Sequence, residues 1–168
     1  MVLAGAVWGA IPVKGRPPAE VWNAPDKREL AGTVLQWGGL LVITAFLDSG
    51  PLRPSLAEMA AAILFTPLGA VLFLSSVFAA RRARGGGVLI QGGIYRRVRH
   101  PMYLAFLLLL LGTAMLASAG WRTLAALLLY IAGTEMRIAA EETSAGVRLP
   151  EYETYRSQTR WLYLPGIR

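Results

Sequence analysis

Four apolar stretches, over residues 31–48, 58–80, 101–117 and 121–140, leave this chain few ways to fold. Each is close to the ~20 residues that a helix needs to cross ~30 Å of hydrocarbon. Lipid offers no water to an unpaired backbone group, so segments of this length must close their hydrogen bonds internally, as helices. Residues 1–13 read as a partial fifth span. The predicted fold is all-α: a polytopic helical membrane protein with four to five transmembrane helices, including a C-terminal helical hairpin, in a single domain over 1–168. Composition agrees, because 55% of the 168 residues are apolar and only 16% are charged, unlike an ordinary soluble domain.

A formal charge of +7 raises nucleic acid as a partner, but the basic residues follow topology instead. Of 17 Lys and Arg, four fall in 14–29, six in 81–100 and five from Arg137 onward, leaving only Arg53 and Arg122 for the other face. That 15-to-2 division places the basic segments and the C-terminal tail in the cytoplasm. Membrane lipids, not nucleic acid, are the expected surroundings, and richness in Ala, Arg and Gly points to a prokaryotic inner membrane. Residues 1–13 lack a positive leader, and Lys14 and Arg16 follow the apolar run, so they are not read as a secretory signal. Pro17, Pro18 and Pro25 mark 14–29 as a connector with at most a short helix at 20–23. Asp48-Ser49-Gly50-Pro51 reads as a turn, and Pro67 as a kink within its span.

Two charged clusters interrupt this pattern. Arg99-His100-Pro101-Met102-Tyr103 stands where a basic loop enters the third span, and it holds the only histidine. Pro101 suits the first helical position, where its missing donor is not needed. Arg137, Glu141 and Glu142 end the fourth span, with Arg137 and Glu141 at the i,i+4 spacing that shares a helix face. A turn at Ser118-Ala119-Gly120 makes the two spans an antiparallel hairpin, which returns both clusters to one depth. Ionisable groups at a hydrocarbon boundary mark a site by default; a structural ion pair is the plainer account of Arg137 and Glu141. With no cysteine and one histidine the usual zinc ligand set is absent, and no metal is expected. Ahead of the first cluster, Val88 to Tyr95 is an apolar run among glycines that either offers backbone groups to a ligand or rests on lipid headgroups. The tail is expected to leave the membrane from Thr143 and to form a short helix after Pro150, ending near Pro165-Gly166. Tyr152, Tyr155 and Trp161 also fit an interfacial aromatic belt, and Arg156, Arg160 and Arg168 fit anionic headgroups.

Gly93-Ile94-Tyr95, Arg99 through Tyr103, the apolar hairpin, Glu141-Glu142, Glu151-Tyr152-x-x-Tyr155, Arg160 and Pro165 together resemble the isoprenylcysteine carboxyl methyltransferase and phospholipid methyltransferase superfamily. The resemblance covers about residues 88–168; the stretch from Thr143 to Pro150 departs from the family's usual one. It implies N-terminal transmembrane helices over 1–80 and a catalytic half over 81–168 that holds S-adenosylmethionine at the cytoplasmic face. Gln91, Gly93, Ile94, Tyr95, Arg99, His100, Pro101, Tyr103, Glu141 and Glu142 would line the cofactor. Arg99 and His100 would meet its carboxylate, Glu141 or Glu142 its ammonium or ribose, and Tyr95 or Tyr103 its adenine or sulfonium. Arg137 and Glu141 are the implied catalytic residues, and Arg137, Tyr155 and Arg160 the implied contacts to a lipophilic methyl acceptor. That acceptor is a prenylcysteine-like carboxylate, a lipid amine or another small lipophilic molecule. Two other functions compete: an NADPH-dependent enzyme resembling membrane sterol reductases, and a membrane scaffold without catalysis.

Overall fold

A computed structural model describes residues 27–47, 53–82, 89–117, 120–164 and 166. The expectations for residues 1–26, the turn at 48–51 and most of the turn at 118–120 lie outside the described residues. Four long helices cover the four apolar stretches: α1 (Lys27–Leu47), α2 (Leu56–Arg82), α3 (Pro101–Leu116) and α4 (Trp121–Arg148). A short α5 follows at Tyr152–Gln158, and a single 3-10 turn at Gly93–Arg96 precedes α3. Pro101 opens α3 as expected, and Pro67 lies inside an unbroken α2.

The helices associate as two antiparallel pairs, α1 along α4 and α2 along α3, and the α3–α4 contact is narrower. Small residues allow this. A Cβ on Gly133 would stand 2.5 Å from the Gly32 carbonyl oxygen, and one on Gly69 would stand 2.9 Å from that of Ala105. Backbones that approach so closely favour small side chains at helix crossings in lipid. Near the α3–α4 turn a core of Leu110, Ala114, Ala126 and Tyr130 joins α3 and α4, with Leu40 and Val42 of α1 against it.

Large apolar side chains cover the outside. Leu30, Val34, Trp37 and Leu41 on α1, Ile63, Leu64, Val71 and Phe78 on α2, and Leu124 and Leu128 on α4 are all exposed. Only 17% of the most apolar window of α2 is buried, which separates it from the core helix of a soluble protein. Among the described residues, Leu56–Arg81 and Trp121–Val147 are each long and apolar enough to cross a bilayer, and Pro101–Leu116 is a shorter apolar helix. The chain is a membrane protein.

One expectation needs correction, and one helix outruns its apolar stretch. The fourth helix does not stop at 140: α4 continues to Arg148. No proline interrupts it before Pro150, and Arg137, Glu141 and Glu142 all find partners that hold the late turns in place. Tyr152 and Tyr155 are not a belt, since each is only 5% exposed. The tail folds back instead. Val98 forms a parallel bridge with Trp161, the Arg99 amide donates to the Trp161 carbonyl at 2.9 Å, and the His100 amide donates to that of Leu162 at 2.8 Å. Leu162 and Tyr163 are thereby buried against Val98, Tyr103 and Ile138.

Candidate active site

The start of α3 and the last third of α4 meet, and their charges interlock. Arg99 sits one residue before the histidine that caps α3, where the strand-like bridge to the tail fixes its backbone. Its Nε donates to Glu142 Oε1 at 2.7 Å, and its Nη1 donates to the Thr159 carbonyl at 2.8 Å. The side chains are 6% and 13% exposed, so this is a buried ion pair. Arg156 of α5, half exposed, approaches the other Glu142 oxygen at 3.7 Å.

His100 lies between both glutamates. Its Nε2 is 3.2 Å from Glu142 Oε1, and its Nδ1 is 3.6 Å from Glu141 Oε2, an ion pair only in the imidazolium form. On the far side, Tyr103 donates to Glu141 Oε1 at 2.6 Å, and Arg137 Nη2 reaches the same oxygen at 3.3 Å. The Arg137 guanidinium stands over the Tyr103 ring, 5.5 Å from its centroid. Tyr130 donates to the Tyr103 carbonyl at 2.9 Å, which ties the first turn of α3 to mid-α4. The cluster thus has two faces, Arg99–Glu142 and Tyr103–Glu141–Arg137, with one imidazole shared between them.

Tyrosines frame it. Tyr155 donates to the Tyr95 carbonyl at 2.8 Å and so pins the 3-10 turn. Burial, and then the charge on Glu141, raise the Tyr95 phenol above its ordinary value, which places that phenol near the cluster. Burial and then Tyr95 push Tyr155 up to about 12. Burial and then the neighbouring Glu142 carboxylate raise Tyr152.

Two neighbouring concavities open beside the Glu142 face. One, about 390 Å³, is lined by Arg99, Glu153, Arg156, Ser157 and Arg160. The other, about 430 Å³, is lined by Ala139, Glu142, Thr143, Gly146, Glu153 and Arg156. Both lie in the size range of small-molecule sites. Together they present cations and carboxylates, with Ala139 and Gly146 as the apolar part of the lining, so both ends of a zwitterionic ligand would meet an opposite charge. The Nε of Arg137, deeper in the cluster, is buried without a hydrogen-bond partner.

Of the sequence-predicted site residues, Arg99, His100, Tyr103, Arg137, Glu141 and Glu142 form one connected network. Pro101 is buried at its base. Tyr95 and Tyr155 flank it, and Arg160 is exposed at the rim of the first concavity. Gln91 and Gly93 are exposed; Gly93, at φ +61°, packs loosely toward Ala79 rather than the charges, and Ile94 accepts turn hydrogen bonds. Sequence reasoning passed over Gln36 and Thr134, which join the network from α1 and mid-α4. It also passed over Glu135, which accepts from Tyr163 at 2.5 Å. A polar side chain within an apolar stretch is the signal that was available for each.

A helical membrane protein with a charged, small-molecule-sized site at one end of its bundle is the class that this architecture defines. The chain belongs to the isoprenylcysteine carboxyl methyltransferase (ICMT) family, whose model matches residues 56–145, more than half of the 168. This is a family of membrane methyltransferases. Comparison with curated proteins and with solved structures returns no match.

Proposed function

We propose that the protein moves a methyl group from S-adenosylmethionine to a lipophilic acceptor at the cytoplasmic face of the membrane. The observation that carries this is the joining of Arg99, His100 and Tyr103 to Arg137, Glu141 and Glu142 beside two open concavities, in a chain of this family. The cofactor supplies a methyl already activated by a sulfonium, so no nucleophilic side chain is required. What remains for the protein is to orient the reactants and exclude water.

The residues divide that work. Arg99, Glu142, Arg156 and Arg160 face the concavities and would hold the cofactor's charged ends. Arg137, Glu141 and Tyr103 lie deeper among the helices and would hold the polar head of an acceptor that arrives from the bilayer. His100 touches both carboxylates and so couples the two halves. Tyr155 also braces the Tyr95 turn, since its hydroxyl donates to that carbonyl. Acceptors delivered as carboxylates or thiolates need no proton removed; an amine would give its proton to a carboxylate of this cluster.

Calorimetry on the detergent-purified chain tests the proposal. S-adenosylhomocysteine binds saturably, NADPH does not, and Glu142→Gln weakens the nucleoside at least tenfold. Saturable NADPH binding without S-adenosylhomocysteine binding would overturn it. Isotopically labelled cofactor incubated with a lipid extract then reports the acceptor class by mass spectrometry.

A further inference from the structure

Arg137 is held from a helix that the family match does not cover. Gln36, on α1, is 6% exposed. Both ends of its amide are used: Nε2 donates to Thr134 Oγ1 at 2.8 Å, and Oε1 accepts from Arg137 Nη1 at 3.0 Å. One turn earlier, a Cβ on Gly32 would stand 2.6 Å from Arg137 Cγ, so the α1 backbone lies directly against the arginine stem. The guanidinium is thus gripped by an amide, by Glu141 at 3.3 Å and by the Tyr103 ring. Its Nε alone is left buried and unpaired.

We infer that Gln36 is a positioning residue for methyl transfer, setting where the Arg137 guanidinium stands against Glu141 and Tyr103. The inference rests on the methyl-transfer proposal above. Physics favours a device of this kind: an arginine side chain has many rotamers, and a loosely held cation would sample orientations in which the acceptor head is misplaced. Misplacement of about 1 Å can slow a reaction on the order of a hundredfold. A neutral amide fixes the group without neutralising it, which a second carboxylate would do. Thr134 completes the arrangement by fixing the amide's orientation, since its hydroxyl accepts from Nε2 and leaves Oε1 turned to the arginine.

The test uses the full chain in detergent micelles with ¹⁵N-labelled arginine. The Nε–H signal of Arg137 is assigned by its loss in Arg137→Lys. Gln36→Met keeps the side-chain volume and removes both hydrogen bonds; Thr134→Val removes only the outer one and serves if the first fails to fold. The Arg137 signal is expected to shift or broaden in Gln36→Met, and less in Thr134→Val, with the other arginine signals unmoved. S-adenosylhomocysteine affinity stays within threefold, while labelled methyl incorporation into a lipid extract falls about tenfold. An unmoved Arg137 signal, or a variant that melts lower yet incorporates label at the wild-type rate, overturns the inference. Should wild-type protein bind no S-adenosylhomocysteine, the methyl-transfer proposal fails, and the role of Gln36 in transfer fails with it, whatever the Arg137 signal shows about its grip.

Discussion

Glu142 faces Arg99, His100 and Arg156 at once. Glu142→Gln leaves the buried Arg99 guanidinium without its counter-charge, and breaking a buried pair from one side costs about 3–5 kcal/mol. Thermal or denaturant unfolding in detergent is expected to show a loss of that size. Glu153→Gln, whose side chain is 71% exposed beside Arg156, is expected to change stability by less than about 0.5 kcal/mol. Alkali tests the tyrosines. Tyr95, Tyr152 and Tyr155 hold their protons to higher pH when folded than the ordinary phenol value of 10.0. Above that value the unfolded chain binds fewer protons than the folded one, so stability falls as pH rises. For Tyr155 the contribution is complete below pH 10 and is lost as pH climbs through about 12. Melting temperatures between pH 10 and 12 should therefore decline, and less steeply in Tyr155→Phe. Arg99, His100, Glu141 and Glu142 were legible in the sequence because charge inside an apolar pattern is conspicuous. Tyr155 as a brace was not, since a hydroxyl bonded to a carbonyl 60 positions away leaves no local trace. Gln36 was missed for a related reason: a neutral amide in a span has no meaning until its partner, 101 positions on, is known.

At the level of elements, hydropathy located the four helices because burial in lipid is a property of each stretch by itself. Their ends and partners were harder. The extension of α4 to Arg148 depends on ion pairs with α3 and α5, and the pairing of α1 with α4 depends on glycines whose spacing also suits a flexible helix. The glycines give a sharp comparison. Gly133→Ala drives a methyl into the Gly32 carbonyl and toward Gln36, so it is expected to destabilise the chain by several kcal/mol or to prevent accumulation. Overpacking of a close contact typically costs about 1–3 kcal/mol or more, and here both sides are backbone. Gly38→Ala, on α1 with nothing within 4 Å, is expected to be neutral or to stabilise by up to about 1 kcal/mol through helix propensity. Equal melting temperatures for the two variants would mean that α1 does not lie on α4 as described. Tyr163→Phe probes the strap formed by the tail. Loss of its bond to Glu135 should raise the rate of proteolysis after Arg156 or Arg160 while leaving the helices intact.

For the whole molecule, orientation is the property on which the proposed methyl transfer turns, because S-adenosylmethionine drawn from the cytoplasm would have to reach the end of the bundle that carries Glu142. The alternation of helices puts Arg53, just before α2, at the end opposite Glu153, which follows α4. The charge distribution predicts a cytoplasmic Glu153 end. The absence of cysteine makes this directly measurable. Arg53→Cys and Glu153→Cys each introduce one reactive thiol at an exposed position. In intact cells a membrane-impermeant maleimide is expected to label the first and to spare the second until the membrane is permeabilised. The opposite pattern would turn the concavities outward, away from any supply of S-adenosylmethionine, and the same Arg99–Glu142 pair would then have to serve a ligand from outside the cell. Labelling of both thiols in intact cells would mean that α2 to α4 do not cross as a set, and the site would lose the lipid-facing approach that its deeper half requires.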